Sequence, residues 1–209
     1  MKIAILGTGK MGSAIGRALV GAGHEVVYGS RTPEVAAPRV ALFGATAATW
    51  LESTRNADAA IIAVPWAVVR DLATRLSQPL AGKVVIDVTN PLSPDMSSLA
   101  VGGADSAGEQ VARILSDSLV VKAMNCVIAD QFADPSFSGV PAQMFYCSDH
   151  EVGRTVAHQL IEGCGYRAVG CGSLSNARYL EALAVFWLQL AYWEEWGTAF
   201  RIELAGQIP

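Results

Sequence analysis

The chain has 209 residues, of which 52% are hydrophobic and 16% charged, with a formal net charge of −4. This length and apolar content suit one domain with a sizeable core and an appendage. The acidic balance offers no basic face to nucleic acid or to an anionic membrane surface, so we expect neither partner.

The cysteines and the start of the chain bear on its compartment. The four cysteines show no C-x-x-C spacing, so we expect reduced residues and no metal site. The chain begins directly in a predicted strand, with no room for a signal peptide, and we therefore expect a cytoplasmic location.

The first predicted strand, residues 2–6, runs into Gly7-Thr8-Gly9-Lys10-Met11-Gly12, and a helix-compatible segment follows. This is the G-x-G-x-x-G turn of a dinucleotide-binding βαβ unit, in the context that the motif requires. Gly7 permits the tight turn, Gly9 lets the backbone approach a pyrophosphate, and Gly12 allows close helix–strand packing. Free N–H groups at the helix start attract phosphate charge. We expect all six residues, Gly7, Thr8, Gly9, Lys10, Met11 and Gly12, to bind the cofactor.

The second predicted strand, residues 25–28, leads into Gly29-Ser30-Arg31-Thr32. An NAD site usually places an Asp or Glu here, about 20 residues beyond the glycines, for the ribose 2′-hydroxyl. No acidic residue stands there. The Arg31 guanidinium, helped by the hydroxyls of Ser30 and Thr32, suits a 2′-phosphate instead, which predicts NADP.

Apolar runs alternate with helical stretches along the first three-quarters of the chain. They predict an α/β fold, a Rossmann-type, doubly wound and mainly parallel sheet with helices on both sides. Besides the first two, we predict strands at residues 44–46, 59–64, 83–88, 119–123, 143–147 and 167–169.

Ligands of such sheets lie beyond the carboxyl ends of the strands. The residues at these ends are Val64, Pro65 and Trp66, then Asn90 and Pro91, and finally Asn125. Amide side chains can bind a ribose hydroxyl or a carboxamide, so Asn90 and Asn125 are the strongest candidates for the nicotinamide end. Lys122 lies one strand position before this predicted cleft.

The last quarter of the chain reads as helical from about Leu174. Residues 182–193 carry no charge but are too short to cross a bilayer, which takes about 20 residues. They predict a helix that must be covered on all faces, by its own domain, by a bound ligand or by a second subunit. We therefore divide the chain into an NADP-binding domain, residues 1–172, and a helical extension, residues 173–209, that completes the acceptor pocket and forms a homodimer interface. The connection 93–106 has the length of a lid or binding loop.

A general acid for alcohol chemistry is not evident. The three histidines, His24, His150 and His158, all lie away from the expected cleft. Arg178 and Tyr179 lie near the start of the terminal helix and could reach the active site. A hydride conduit between two cofactors needs no such acid, because the protein only has to stack the two rings. Several aromatic residues could line that pocket: Trp66, Phe186, Trp187, Tyr192 and Trp193.

The glycine turn and Gly29-Ser30-Arg31 are joined by three further segments, Asp87-Val88-Thr89-Asn90-Pro91-Leu92, Val121-Lys122-Ala123-Met124-Asn125 and Leu174-Ser175-Asn176-Ala177-Arg178. Together they resemble the coenzyme F420-dependent NADP oxidoreductase family across nearly the whole chain. The cytosolic domains of ferric reductases of the six-transmembrane epithelial antigen family look similar too.

The resemblance implies hydride transfer between NADP(H) and a deazaflavin, coenzyme F420, or a flavin, in a dimer. It also implies that Thr8, Ser30 and Arg31 hold the 2′-phosphate, and that Asn90 and Asn125 flank the two rings. A reductase of a small carbonyl or imine and a non-catalytic dinucleotide sensor are the alternatives.

Overall fold

The computed structural model describes residues 1–137 and 139–206. In this part of the chain the strands are β1 Lys2–Leu6, β2 Glu25–Ser30, β3 Thr46–Thr49, β4 Ala59–Ile62, β5 Val84–Asp87, β6 Leu119–Ala123, β7 Ser136–Phe137, β8 Val140–Pro141, β9 Gln143–Cys147 and β10 Arg167–Gly170. The helices are α1 Lys10–Gly21, α2 Pro33–Ala41, α3 Trp50–Arg55, α4 Trp66–Leu80, α5 Ala107–Ile114, α6 Glu151–Gly163 and α7 Ala177–Leu188.

Eight of these strands form one sheet in the order β10-β9-β6-β5-β4-β1-β2-β3. All neighbours run parallel except β6 and β9, which pair antiparallel with Ala123 opposite Tyr146. The Rossmann-type fold with a mainly parallel sheet is confirmed. The carboxyl ends of β1, β4, β5 and β6 therefore meet along one edge, where the predicted site residues lie.

The core is divided between the two faces of the sheet because successive strand residues point to opposite sides. Ile3 and Ile5 of β1 pack with α1 and α6, whereas Ala4 and Leu6 pack with α4 and α5. Both faces of the central strands are thus buried, which explains why their sequences show no alternation of polar and apolar residues.

The third strand begins later than predicted, at Thr46 rather than Gly44. Gly44 has a positive φ of +84° and belongs to the turn after α2, where its N–H bonds to the Ala41 carbonyl. Glycine supplies such a turn, so the strand starts only after it.

The C-terminal extension is helical over α7 and a π-helical turn, Gln189–Trp193. The predicted helix does not continue, because Glu195 and Gly197 have positive φ and the Gly197 N–H closes the helix end on the Ala191 carbonyl. Residues 194–206 follow without regular structure. The predicted extension reached residue 209, but 207–209 lie outside the described residues.

The chain's own described residues cover only part of this helix, so the rest of the expected cover would have to come from a ligand or a second subunit. Trp187 is 4% exposed, whereas Phe186 is 54%, Tyr192 57% and Trp193 45% exposed. One face packs on β9, whereas the opposite face is exposed among the described residues. No helix in the described ranges is long and apolar enough to span a bilayer.

Candidate functional site

The glycine-rich turn is packed tightly on one side and open on the other. Gly7 has φ +125°, and a Cβ there would lie 2.3 Å from the Ala63 carbonyl oxygen. A Cβ on Gly12 would lie 2.3 Å from the carbonyl oxygen of Gly7. A Cβ on Gly9 would meet nothing within 4 Å. Gly9 therefore faces the open space above the first turn of α1, whose N–H groups are free to bind an anion.

A cavity of about 230 Å³ lies over this turn, and we call it the nucleotide cleft. It brings together the glycine turn, the end of β2 and the end of β4, and its lining includes Gly7, Thr8, Gly9, Gly29, Ser30, Arg31, Thr32, Trp50, Ala63, Val64 and Pro65. Trp66 begins α4 and packs against the core on that side. Trp50, which the sequence did not single out, is the tryptophan in the cleft lining.

The polar end of the nucleotide cleft is formed by Ser30, Arg31 and Thr32. The Thr32 backbone N–H donates to Ser30 Oγ at 3.1 Å, which leaves the Ser30 hydroxyl hydrogen available to a ligand. Arg31 is exposed and also lines a neighbouring hollow of about 690 Å³ beside Trp50. A second guanidinium, that of Arg39 on α2, donates to the Thr8 carbonyl. Arg39 follows the β2 end in sequence, but only the fold of α2 brings it over the glycine turn.

A second cavity, of about 350 Å³, opens at the ends of β5 and β6, and we call it the acceptor cavity. Lys10 and Met11 from the glycine turn, Asn90 and Leu92, and Asn125 all line it. Its far wall comes from residues 126–130 and from the C-terminal extension through Ala184, Trp187, Leu188 and Tyr192. Pro91 is buried, and its carbonyl accepts the Ala100 N–H within the loop that follows.

Asn90 and Asn125 bond to each other across the two strand ends. Asn90 Nδ2 donates to the Asn125 carbonyl at 2.9 Å, and Asn125 Nδ2 donates to Asn90 Oδ1 at 2.9 Å. Asn125 Nδ2 also donates to the Leu180 carbonyl of α7 at 3.0 Å. The two amides thus form one rigid polar group in the wall of the acceptor cavity, fastened to the extension.

The extension is held over the cavity by polar and aromatic contacts. Gln189 Nε2 donates to the Ser97 carbonyl at 2.9 Å, which joins the π-helical turn to the 93–106 connection. Trp187 stacks on Phe200 with ring centroids 5.2 Å apart, and its indole N–H donates to the Phe200 carbonyl. Trp187 and Tyr192 of the predicted aromatic set line the cavity, whereas Phe186 and Trp193 face outward.

Behind the cavity lies a buried ionic cluster that the sequence did not reveal. Lys122 Nζ lies 2.9 Å from Asp87 Oδ2 and 2.8 Å from Glu181 Oε1, and all three side chains are fully buried. Lys122 also donates to the Thr89 carbonyl. Glu181 accepts the backbone N–H groups of Ala107 and Gly108 at the start of α5. Lys122 therefore lies behind the acceptor cavity and does not line it.

Burial disfavours the charged forms of the side chains in this cluster. The oppositely charged partners counteract this effect of burial more at Lys122 than at Glu181. For Lys122 the penalty of burial is outweighed by Asp87 and Glu181, so the pKa of its ammonium group is raised. For Glu181 burial prevails over Lys122, and the pKa of its carboxyl group is raised as well. Burial also raises the pKa of the Cys126 thiol to about 12, so this cysteine in the cavity wall is a neutral thiol at physiological pH.

The titratable residues considered from the sequence lie elsewhere. His24 neighbours the N-terminal amino group, His150 precedes α6, and His158 lies 3.4 Å from the Tyr146 hydroxyl. Arg178 makes a two-pronged pair with Glu109 at 2.5 and 2.8 Å, and Tyr179 is 72% exposed. Within residues 1–137 and 139–206, no three His, Cys, Asp or Glu side chains are grouped to hold a metal ion.

Comparison with known proteins places this site in context. The family model described as "NADP oxidoreductase coenzyme F420-dependent" matches residues 2–91. An F420-dependent NADP reductase of Methanothermobacter marburgensis is 33% identical over 207 residues, covering 91% of this chain and 92% of the relative.

A solved structure from Arthrobacter sp. FB24, named as a candidate F420-dependent NADP-reductase, superimposes with a TM-score of 0.87. It is 29% identical, and the match covers 99% of this chain and 100% of the other. The metalloreductase STEAP3 of Rattus norvegicus is 29% identical over 87% of this chain, which spans 36% of that protein.

Proposed function

The chain belongs to the family of coenzyme F420-dependent NADP oxidoreductases, and we propose that its nucleotide cleft holds NADP(H) while its acceptor cavity receives the deazaflavin ring. As a member of this family it is an oxidoreductase that transfers hydride between NADP(H) and coenzyme F420. The position of Lys10 and Met11 supports the assignment of the two cavities to the two cofactors. Both residues belong to the glycine-rich turn and also line the acceptor cavity, so the two binding sites adjoin.

The nucleotide cleft suits NADP(H) in three respects. The open space at Gly9, beside the free N–H groups of α1, accommodates a pyrophosphate. Ser30, Arg31 and Thr32 offer donors to a 2′-phosphate, and Arg39 adds a second positive charge near Thr8. The hollow beside Trp50 continues from Arg31 and has room for the adenine ring.

The acceptor cavity suits a second, largely apolar ring. Trp187, Leu188 and Tyr192 form one wall, and the Asn90–Asn125 pair supplies carboxamide groups at the opposite wall. Bound NADPH supplies a hydride and the deazaflavin accepts it through its own conjugated ring. The residues of the chain therefore orient the two rings and exclude water, because juxtaposition of two bound reactants lowers the barrier without an acid or base of the protein.

An absorbance assay tests this proposal. The purified protein is mixed with NADPH and oxidised coenzyme F420, and loss of the visible absorbance of the deazaflavin is followed, with NADH and free flavin as control substrates. We expect turnover with NADPH and F420 and a much lower rate with NADH. Binding of NADPH without turnover of F420 would overturn the acceptor assignment while leaving the nucleotide cleft in place.

We also propose that the protein is a cytoplasmic homodimer, with residues 1–172 as the NADP-binding domain and 173–209 as the extension. The extension exposes Phe186, Trp193 and Trp196, and aromatic residues are enriched in protein interfaces. A second copy is the partner that a homo-oligomeric enzyme would place there. The four unpaired cysteines accord with a reducing compartment.

A further inference from the structure

The ammonium group of Lys122 joins two segments that carry the acceptor cavity. It donates to the carbonyl of Thr89, the residue directly before Asn90. It also pairs with Glu181, the residue directly after Leu180, whose carbonyl holds the Asn125 amide. Lys122 therefore contacts the direct neighbour of Asn90. It also contacts the direct neighbour of Leu180, the residue that binds the Asn125 amide.

Both contacts are reinforced by further bonds. Asp87 Oδ1 accepts the N–H of Thr89 at 3.0 Å and its hydroxyl at 2.7 Å, so the segment before Asn90 is held at several points. Glu181 bonds the first two N–H groups of α5 at 2.9 and 3.1 Å, so α7 cannot slide relative to α5 without breaking them. Among the described residues, Lys122 is the one positively charged side chain in this cluster.

The cost of such a cluster argues for a role beyond stability. Burying three ionisable groups carries a desolvation penalty, and apolar side chains of similar volume often stabilise a core equally well or better. What an apolar replacement cannot do is fix the direction of a carbonyl group and the position of a helix through directed bonds. Such directed bonds are present on both sides of the Asn90–Asn125 pair.

We propose that Lys122 is a positioning residue for the acceptor cavity, and that it sets the orientation of the Asn90–Asn125 pair by tying Thr89 to Glu181. It lies outside the cavity and touches neither ring. This inference rests on the proposed function only in calling the cavity that of the acceptor. The orientation of the amide pair can be measured without any substrate.

The test compares K122M and E181Q with R178M as the matched control. K122M removes the ammonium group at nearly constant volume. E181Q keeps the side-chain shape and one carbonyl oxygen, so it remains informative even if K122M fails to fold. Arg178 also joins α7 to α5, through Glu109, but contacts neither Thr89 nor Leu180. R178M therefore reports what a simple loosening of the two helices does.

The first readout is exchange of the Asn125 side-chain amide protons with water, followed by nuclear magnetic resonance. In the wild type both protons are engaged, with Asn90 and Leu180 as acceptors. We expect exchange to become at least about tenfold faster in E181Q and in folded K122M, and to stay unchanged in R178M. Unchanged exchange in the first two variants, or equal acceleration in R178M, would overturn the proposal.

The second readout is steady-state kinetics with NADPH and F420. We expect KM for F420 to rise about tenfold in E181Q and K122M while KM for NADPH changes less than twofold. A parallel loss of affinity for both substrates would reduce Lys122 to a structural residue. If the wild type does not reduce F420 at all, the proposed function fails, and amide exchange alone still decides the role of Lys122.

Discussion

Gly12 and Gly7 are in direct contact at the turn between β1 and α1, where a Cβ on Gly12 would lie 2.3 Å from the Gly7 carbonyl oxygen. Gly9, between them in sequence, has open space at the same position. Packing thus requires two glycines of the motif, whereas we propose that only a bound nucleotide requires Gly9. Substitutions can separate these two requirements.

G12A is expected to destabilise the folded protein by about 1–3 kcal/mol, because the added methyl group forces a backbone shift. G9A is expected to cost less than about 1 kcal/mol, since Gly9 has an extended conformation that alanine adopts freely. G9A should nevertheless weaken NADPH binding at least about tenfold, or about 1.4 kcal/mol. Urea unfolding and NADPH titration measure the two effects. If G9A is stable and binds NADPH normally, the assignment of the pyrophosphate to this position is wrong.

R31A tests the choice of nucleotide. The guanidinium of Arg31 is exposed in the nucleotide cleft, and one such charged contact with a 2′-phosphate is worth about 1.4 kcal/mol, or tenfold. We expect the wild type to prefer NADP over NAD and R31A to lose about tenfold of that preference. R75A is the matched control, because Arg75 lines the neighbouring hollow but pairs with Asp71. An equal loss of NADP preference in R75A would show that the effect comes from the overall positive charge of the region and not from a contact between Arg31 and the 2′-phosphate.

The pair of Glu109 and Arg178 predicts a dependence of stability on pH. Hydrogen bonds from Arg178 hold the pKa of the Glu109 carboxyl below its ordinary value of 4.5. A depressed pKa in the folded state adds stability that is fully present above pH 4.5 and is lost as the pH falls through the folded-state pKa. The difference in free energy of unfolding between wild type and E109Q should therefore shrink on acidification. A difference that is constant between neutral and strongly acidic pH would contradict this.

The exposed aromatic face predicts the oligomeric state. A charge introduced at Phe186 or Trp193 would have to be desolvated in an interface, so F186E and W193E should dissociate a homodimer. L42E is the control, because Leu42 is 86% exposed and directly follows α2, which packs beside β2 and β3 at the other end of the sheet from β9. Light scattering after size exclusion gives the mass directly. A monomeric wild type at micromolar concentration would refute the dimer.

The sheet and the glycine turn could be predicted because their signals are local. An apolar run such as β4 needs only its own residues to indicate burial on both faces, and the glycine spacing indicates the turn by itself. The lack of an acidic residue in the segment Gly29-Ser30-Arg31-Thr32 can also be read from the local sequence. The sheet and the turn are confirmed by the structure, whereas the binding of the 2′-phosphate by Arg31 stays a prediction for R31A to test.

The ionic cluster could not be predicted because its partners are distant in sequence. In the sequence, nothing near Lys122 indicates its partner Glu181, which lies 59 positions later in the chain. Only the packing of α7 brings Glu181 next to Lys122. The antiparallel direction of β9 likewise depends on the path of the connection after β6, which no periodicity reveals. The signal that could have found Lys122 was a charged residue inside an otherwise apolar strand, since such a charge must be paired when buried.

The most direct test of the account follows a labelled hydride. NADPH carrying deuterium at either of the two C4 positions of the nicotinamide is incubated with the protein and oxidised F420, and the reduced deazaflavin is analysed by mass spectrometry. Direct transfer between two rings held in adjoining cavities predicts that one of the two labelled nucleotides delivers its deuterium to the deazaflavin and the other does not. Reduced deazaflavin without deuterium from either nucleotide would contradict it.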